Sequence, residues 1–308
     1  MNKKIKKIIK NPLLLLVFLD SKNIIRLKDK TYLKLLYPYY FSENLNLTNP
    51  KTFNEKLQWL KLYDRKDIYT TMVDKYEAKK YVSKIIGNEH IVPTLGVYDN
   101  FDDINFDALP NKFVLKTNHY GGGGGVFIVN NKKEFNIEEA KRKIDKLMKK
   151  NLYYYGREWP YKNVKPRIII EKNMGVNLND YKFFCFNGDP KYILVCSNRN
   201  GSQKNTDFYD CDWNLQPFTR EKHDNNPKGI EKPQSLREMY SIAKQLCKDI
   251  PFVRVDLYDI NNTIYFGELT FFPSSGFEGF KPKEWDKKLG DLINLKIGKD
   301  NNLWKIAK

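Results

Sequence analysis

The segment FVRVDLYDINNTIYFGELTFFPSSGF, residues 252–277, places two carboxylates in otherwise apolar surroundings. Asp256 and Glu268 each lie at the end of a β-rich run, and residues 259–263 between the runs are typical of a turn. The pattern predicts two neighbouring antiparallel strands on which the carboxylates lie side by side. Two hard oxygen ligands backed by Arg254 are what a magnesium ion that holds a polyphosphate requires. An exposed cross-strand charge network is the alternative, although unpaired carboxylates are unfavourable in strands this apolar.

A lysine and a run of glycines upstream indicate a second contact with the same phosphates. Lys116 ends the β-rich residues 113–116. Five consecutive glycines follow after a short gap: Gly121, Gly122, Gly123, Gly124 and Gly125. Backbone N–H groups of glycines can approach phosphate oxygens closely, and such a loop can open and close. No Gly-Lys-Ser/Thr sequence follows, which excludes a Walker A loop, and a flexible surface hairpin is the alternative.

The composition bounds the class of protein. A chain of 308 residues suffices for one large domain or two modest ones, and an apolar content of 41% indicates a globular protein. The formal charge of +17 favours polyanionic partners, although a biased genome explains a lysine-rich composition equally well. The four cysteines form no CxxC pair and no histidine lies at metal-ligand spacing, so we expect no structural zinc. Nothing demands disulfides, which fits a reducing cytoplasm.

The first twenty residues, MNKKIKKIIKNPLLLLVFLD, combine a basic start with the apolar residues 13–19. The apolar run is too short for a bilayer-spanning helix, and no small-residue cleavage site follows it. Five lysines before an apolar block predict a helix that lies on an anionic membrane surface. A helix that docks on the protein itself is the alternative. We therefore expect a cytoplasmic protein and leave open its contact with the inner face of the membrane.

Local signals predict the elements around these motifs. Residues 52–55 form a capping box that starts a helix, and residues 74–86 form a helix that ends at Gly87. The Asn187-Gly188 pair predicts a tight turn between two strands at residues 181–186 and 191–196. Other strands are predicted at residues 91–93, 112–116, 126–129 and 167–171, and other helices at residues 137–149, 235–246 and 285–295. Residues 198–233 are polar and predict loops.

The order and spacing of several motifs resemble the TupA-like ATP-grasp proteins. The stretches that carry the resemblance are NPKTFNEKLQWLKLYDR from Asn49, DKYEAKKYV from Asp74, LPNKFVLKTNH from Leu109, GREWPYKNVKPRIIIEK from Gly156 and the carboxylate strands. The stretch DYKFFCFNGDPKYILVCSNR from Asp180 is similar to the ribosomal-protein-modifying and glutamate-ligase type of the superfamily. The resemblance implies an α+β fold in which two α+β lobes with antiparallel sheets enclose the nucleotide. The implied regions are a mostly helical N-terminal region at 1–70, an N-terminal lobe at 71–170 and a C-terminal lobe with a helical tail at 171–308.

The resemblance also implies ATP and Mg²⁺ as cofactors and assigns residues to the nucleotide. Lys116 and the five glycines would hold the phosphates. Glu171 would bind the adenine amino group at the hinge between the lobes. The residues that would line the base pocket are Lys172, Asn173 and Met174.

The remaining assignments concern the transfer step and the metal. The residues that would neutralise negative charge at the transfer step are Arg254, Lys182 and Arg199. The residues that would hold one or two magnesium ions are Asp256, Glu268 and Thr270. Two of these depart from the pattern of the related ligases, which have an arginine where Lys182 stands and an asparagine where Thr270 stands. The following loop, residues 272–276, would hold an acceptor or an acyl intermediate, and a simple turn is the alternative.

The activity implied by the resemblance is that of an ATP-dependent carboxylate–amine ligase. ATP would convert a carboxylate into an acylphosphate, and an amine would displace the phosphate to form an amide. The implied partners are an acidic polysaccharide or lipid-linked precursor of the capsule or teichuronopeptide type, and an amino-acid or amine co-substrate, with no nucleic acid. Three alternatives stay open: a glycan kinase, a glycosyltransferase that uses Asp210 and Asp212 as a metal motif, and a polyanion-binding module without turnover.

Overall fold

The computed structural model describes residues 12–120, 125–175, 179–197, 205–226 and 229–295. The helices in these ranges are Leu14–Ser21 (α1), Asp29–Phe41 (α2), Phe53–Tyr63 (α3), Ile68–Val73 (α4), Glu77–Ile86 (α5), Ile137–Met148 (α6), Tyr153–Gly156 (α7), Leu236–Leu246 (α8) and Glu284–Asp291 (α9). The strands are Thr94–Tyr98 (β1), Phe113–Thr117 (β2), Val126–Val129 (β3), Ile168–Lys172 (β4), Asn179–Phe186 (β5), Asp189–Ser197 (β6), Asn205–Asp210 (β7), Thr219–Arg220 (β8), Phe252–Ile260 (β9), Thr263–Thr270 (β10) and Phe280–Lys281 (β11).

A four-stranded antiparallel sheet has the order β1-β4-β2-β3. One face is apolar, because Phe113 and Leu115 pack with Ile144 of helix α6 in a separate core cluster. Side chains alternate between the two faces of a strand, so Lys116 lies on the opposite face from Leu115. The register aligns Lys116 with Val126 of the edge strand. The sheet therefore holds Lys116, the lysine predicted to bind phosphate, on the face that helix α6 does not cover.

A five-stranded antiparallel sheet has the order β10-β9-β5-β6-β7. Its core cluster includes Phe184 and Phe252 together with Phe53 of helix α3, whose ring meets that of Phe252 edge to face at 4.8 Å. Such a pair adds roughly 1 kcal/mol beyond the burial of its apolar surface. Helix α3 begins with the predicted capping box, since the Thr52 side chain accepts from the Glu55 N–H and Glu55 bonds back to the Thr52 N–H. The helical N-terminal region is thus packed on the sheet that carries the two carboxylates.

The predicted α+β architecture with antiparallel sheets is confirmed, and so is the hairpin at Asn187-Gly188 between β5 and β6. The helix predicted at residues 74–86 begins only at Glu77, because the Asp74 side chain accepts hydrogen bonds from the N–H groups of Tyr76 and Glu77. It ends at Gly87 as predicted. A short carboxylate at a helix start competes with the helical backbone bonds and therefore sets the boundary.

Three other expectations are wrong. The strand predicted at residues 91–93 is a single bridge at Ile91, and the strand proper is Thr94–Tyr98. The tail helix, predicted to reach residue 295, ends at Asp291. The polar residues 198–233 contain strands β7 and β8. Polar side chains hid these strands. Asp207 Oδ1 accepts from the N–H of Asn226, while Phe208, the next residue in sequence, packs on the sheet.

Within the described ranges, no helix combines the length and the apolar character that crossing a bilayer demands. The first helix, α1, instead contacts helix α7 on the body of the protein. Its buried Asp20 accepts a 2.6 Å hydrogen bond from the Arg157 guanidinium, which is also buried. The inner side of α1 therefore docks on the protein itself, which is one of the two alternatives predicted for this segment.

Candidate functional site

The two carboxylates of the 252–277 segment lie on adjacent antiparallel strands. Asp256 of β9 is the direct cross-strand partner of Glu268 of β10. Arg254 joins them: its Nε and Nη2 donate to Asp256 at 2.6 and 2.7 Å, and Nη2 also donates to Glu268 at 3.1 Å. The Thr270 hydroxyl accepts from the same Nη2 at 3.1 Å and lies 3.2 Å from Glu268 Oε1. These four side chains from β9 and β10 thus form one compact cluster.

The neighbouring strand β5 adds a second cation. Lys182 is the cross-strand partner of Asp256, and its ammonium lies 2.5 Å from Asp256 Oδ2 and 2.6 Å from Asp180 Oδ2. Asp256 is only 1% exposed, so both of its charged neighbours contact it inside the protein. Glu268 differs, because 36% of its side chain is exposed and available to a ligand.

The electrostatic environments of the two carboxyl groups differ accordingly. Burial raises the pKa of Asp256 and outweighs the opposing effects of Arg254 and Lys182. Burial also opposes ionisation of Glu268, but Lys75, Arg254 and Lys182 together lower the pKa of Glu268 to about 2. Burial tends to lower the pKa of Lys182, yet the adjacent Asp256 reverses this and raises it. At neutral pH the site is therefore an ionised Glu268 surrounded by fixed positive charges.

A second charged cluster lies on the four-stranded sheet. The Lys116 ammonium lies 2.6 Å from Glu171 Oε2, and Lys79 of helix α5 is paired with Glu171 Oε1. Burial disfavours the ionised form of Glu171, but Lys116 and Lys79 outweigh it and lower the pKa of this carboxyl. Lys79 also donates to Val92 O at 2.9 Å. Glu171 thus holds Lys116 in place, and the contacts of Glu171 with adenine and of Lys116 with phosphate stay predictions.

Lys75 connects the two clusters, and the sequence reasoning missed its role. Its ammonium lies 3.9 Å from Glu268 Oε2 and donates to Tyr120 O at 3.3 Å. It also interacts electrostatically with Lys116 and Glu171, while burial lowers the pKa of Lys75. The signal that could have found it is its place in DKYEAKKYV, directly before the start of helix α5. Lys75 brings a third region of the chain to the site.

The residues predicted to line a base pocket lie at the end of β4 and directly after it. Asn173 donates to Val129 O at 3.1 Å, which fastens this segment to the edge strand β3. Lys172 is exposed and Met174 is half-buried. On β3, Val126 is an exposed apolar residue directly across from Lys116. An apolar surface beside Lys116 suits a planar base, and the assignment of these residues stays a prediction.

The remaining predicted residues lie outside the described ranges or apart from the cluster. Gly121 to Gly124 and Arg199 fall outside the described residues. Gly125 is buried, and a Cβ atom there would come within 3.0 Å of Leu147. Asp210, from the alternative metal motif, accepts hydrogen bonds from the N–H groups of Asp212 and Asn214, so it caps a turn.

The donor atoms suit a magnesium ion only in part. Carboxylate oxygens and a hydroxyl are hard ligands of the kind that Mg²⁺ takes together with phosphate oxygens. Among the described residues, no group of three or more His, Cys, Asp or Glu side chains converges on one point. Both oxygens of Asp256 are bound by Arg254 or Lys182, whereas Glu268 Oε2 has only Lys75 at 3.9 Å. Glu268 is therefore the better candidate ligand, and Asp256 would have to release a cation to join it.

The loop after β10 has an unusual backbone that the helical region holds in place. Ser274, Ser275 and Gly276 have φ values of 50°, 53° and 61°, a left-handed conformation that non-glycine residues adopt only when their surroundings enforce it. Gln58 donates to Gly276 O at 2.7 Å, and Lys61 donates to Ser275 O at 2.7 Å. Helix α3 therefore shapes the segment predicted to receive an acceptor.

The buried Lys61 predicts a pH-dependent stability. Burial lowers the pKa of Lys61 from its ordinary 10.5 to about 7, and Glu158 opposes this only partly. Between these two pH values the unfolded chain binds more protons at Lys61 than the folded chain, so its contribution to stability rises with pH. We expect the free energy of unfolding of the wild type, minus that of Lys61→Met, to rise by up to about 1 kcal/mol per pH unit from pH 7 to 10.

Urea titrations at several pH values measure this difference, and the exposed Lys66 provides the matched control. The slope for Lys61→Met should exceed the slope for Lys66→Met, because Lys61 is buried and Lys66 is exposed. Lys61→Met also removes the hydrogen bonds of Lys61. Their loss changes the difference in unfolding free energy by the same amount at every pH, so the slope of this difference with pH reports the titration of Lys61. A flat difference for Lys61→Met would show that Lys61 keeps its charge throughout this range.

The comparisons with known proteins agree with this architecture. The family model described as TupA-like ATPgrasp matches residues 55–294, which is most of the chain. No curated protein sequence matches. Among solved structures, D-alanine–D-alanine ligase from Bacillus anthracis complexed with ATP has 18% identity and a TM-score of 0.39, with 72% of this chain and 63% of that chain covered.

Two further ligases are similar at the same level. The D-alanine–D-alanine ligase from Helicobacter pylori has 16% identity, a TM-score of 0.44 and coverage of 79% of this chain and 67% of that chain. Phosphoribosylamine–glycine ligase from Thermotoga maritima has 16% identity, a TM-score of 0.40 and coverage of 70% and 52%. This chain thus spans less than two thirds of the length of the Bacillus anthracis enzyme. The family model carries the assignment: the chain belongs to the TupA-like ATP-grasp family.

Proposed function

We propose that this protein is an ATP-dependent ligase that joins a carboxylate to an amine. The observation that carries the proposal is the cluster of Arg254, Asp256 and Glu268 on adjacent strands, with Lys75 connecting Glu268 to Lys116 and Glu171. Lysines from two separate regions and an arginine converge where a triphosphate would lie. Membership in an ATP-grasp family and the similarity to solved ligases support the same reading.

The proposed reaction has two steps. A carboxylate oxygen of the acceptor forms a bond to the γ-phosphorus of ATP, the bond from that phosphorus to the β,γ-bridging oxygen breaks, and ADP leaves. An amine nitrogen then forms a bond to the acyl carbon, the C–O bond to phosphate breaks, and the amine releases a proton. The products are an amide, ADP and phosphate.

The residues of the cluster are suited by their chemistry to different parts of this reaction. Lys116 and Lys75 are point charges suited to the phosphates, and Glu171 positions Lys116 at 2.6 Å. Arg254 and Lys182 would neutralise the negative charge that develops on the transferred phosphoryl group and on the acyl carbon's oxygen. Magnesium, held by Glu268 and by Asp256 after rearrangement, would screen the phosphate charges. Burial of Asp256 keeps water from the side of the cluster that faces the protein.

The proposed acceptor is an acidic surface polysaccharide or its precursor, and the co-substrate is an amino acid or another amine. The formal charge of +17 supports a polyanionic acceptor, because a positive field raises the local concentration of anions. The loop Pro273–Gly276 follows the cluster directly and offers serine hydroxyls near it. Ser274 Oγ donates to Glu278 at 2.6 Å and accepts from Arg220 at 3.2 Å, so its position is fixed.

Trapping with hydroxylamine tests the chemistry. The enzyme is incubated with MgATP and a panel of uronic-acid-containing glycans, without an amine. We expect ADP release that depends on the glycan, and formation of a hydroxamate, because hydroxylamine intercepts an acylphosphate. Adding an amino acid in place of hydroxylamine should give a glycan amide with the same stoichiometry. A stable sugar phosphate that resists hydroxylamine would instead establish a kinase and overturn the ligase proposal.

A further inference from the structure

Helix α1, Leu14–Ser21, presents apolar side chains on two opposite sides. Leu14 and Val17 face the protein and are buried. On the other side, the side chains of Leu15, Leu16 and Phe18 are 45%, 36% and 46% exposed. A helix on the surface of a water-soluble protein normally carries polar side chains on its outer side. A contiguous exposed apolar patch instead marks a site of interaction.

The body of the protein fixes the orientation of α1. The buried Asp20 accepts hydrogen bonds from Arg157 Nη2 at 2.6 Å and from the Leu27 N–H at 2.8 Å. The Arg157 guanidinium also lies 4.0 Å from the centroid of the Tyr32 ring. Because these contacts hold the inner side of α1, the apolar outer side cannot turn inward without breaking a buried ion pair.

The charge around this patch is strongly positive. Residues 1–19 contain no aspartate or glutamate and five lysines, Lys3, Lys4, Lys6, Lys7 and Lys10. The first acidic residues of the chain, Asp20 and Asp29, both pair with Arg157. The Lys22 ammonium lies 5.7 Å from the centroid of the Phe18 ring. A basic side chain thus lies against the apolar patch, and Asp20 and Asp29 are already paired inside the protein.

From these observations we propose that α1 docks on an anionic lipid surface. The apolar side chains of an interfacial helix enter the boundary between headgroups and acyl chains, while lysines contact the anionic headgroups. A second copy of this chain fits less well, because the contact would bring two lysine-rich segments together. A membrane surface offers an apolar layer and anionic headgroups. The apolar side of α1 suits the first, and the lysines that precede it in the sequence suit the second.

Docking would bring lipid-linked molecules towards the loop Pro273–Gly276. Arg157 directly follows Gly156, whose carbonyl oxygen accepts a 2.6 Å hydrogen bond from Lys61. The same ammonium donates to Ser275 O at 2.7 Å, so a short chain of contacts joins α1 to the loop. A lipid-linked acceptor would then meet the loop without leaving the membrane. This consequence rests on the proposed function, whereas the docking of α1 does not.

Co-sedimentation of the full chain with vesicles tests the docking. We expect at least about tenfold stronger binding to vesicles of phosphatidylcholine with phosphatidylglycerol than to phosphatidylcholine alone, and weaker binding as salt rises. The double variant Leu16→Gln/Phe18→Gln should lose at least about tenfold in binding, because two apolar side chains no longer enter the lipid. The matched control is Ile68→Gln/Leu215→Gln, which removes two exposed apolar side chains elsewhere and should bind like the wild type.

Circular dichroism and thermal unfolding without lipid verify that both double variants are folded. The proposal is overturned if binding to the two vesicle types is equal, or if Leu16→Gln/Phe18→Gln binds anionic vesicles as well as the control does. It is also overturned if the variant abolishes a dimer that the wild type forms in sedimentation while no vesicle binding is seen. Because none of these measurements involves a glycan, a failed ligase assay leaves the docking result valid.

Discussion

Glu268→Gln is expected to lower ATP turnover by about 10²-fold to 10³-fold, a loss of the size seen when one preorganised charge or donor is removed from a reaction centre. Glu268 is the partly exposed carboxylate of the cluster, and its environment lowers its pKa to about 2. The glutamine keeps the shape but carries no charge, so it cannot hold a divalent cation in the same way. ADP release with the acceptor established by the trapping experiment provides the measurement.

Glu284→Gln is the matched control, since Glu284 is a surface carboxylate paired with Lys288 in helix α9. It should retain the turnover of the wild type. Glu268→Gln should also unfold close to the wild-type temperature, which separates a lost reaction from a lost fold. Equal turnover in Glu268→Gln and the wild type would remove the metal assignment and with it the reading of the 252–277 segment.

Arg157→Met is expected to lower the free energy of unfolding by about 3–5 kcal/mol, because removal of one partner strands a buried charge. Asp20 is fully buried, and its carboxylate would retain only the Leu27 N–H as a hydrogen-bond donor among its described contacts. The guanidinium also stacks on Tyr32 at 4.0 Å, a contact that methionine replaces only in part. Urea or thermal unfolding monitored by circular dichroism measures the loss.

Arg65→Met is a demanding control because Arg65 pairs with Asp29, which Arg157 also contacts. The Arg65 side chain is 37% exposed, so this pair should be worth at most about 1 kcal/mol. If the two substitutions destabilise the protein equally, burial does not distinguish the pairs and the anchoring of α1 is weaker than the structure indicates.

Local signals were sufficient for several elements that surround the site. Thr52 and Glu55 predicted a capping box, and the structure contains both of its hydrogen bonds. The Asn187-Gly188 pair predicted a turn, and β5 and β6 flank it in an antiparallel hairpin. These signals depend on residues a few positions apart, whose interactions persist in almost any tertiary surroundings.

Local signals failed where tertiary contacts satisfied polar groups. Strand β7 was hidden by Asp207 and Asp210, whose side chains are occupied by the backbone of nearby turns. Lys75 and Lys61 were not distinguished among the 54 lysines and arginines of the chain. One reaches the carboxylate cluster, and the other is buried beneath the loop after β10. Apart from the family stretches in which they lie, nothing in their immediate sequence separates these lysines from solvated ones.

The sequence by itself placed Asp256 and Glu268 on adjoining antiparallel strands, whereas their direct pairing depends on a β-bulge between Phe266 and Glu268, without which Gly267 would lie opposite Asp256. It also determined the family, since several motifs recur in order. Only the tertiary structure decided which cations surround the carboxylates, with Lys182 from β5 and Lys75 from before α5. Contacts between elements distant in the chain depend on how whole faces pack, and the energy of that packing is shared among many residues.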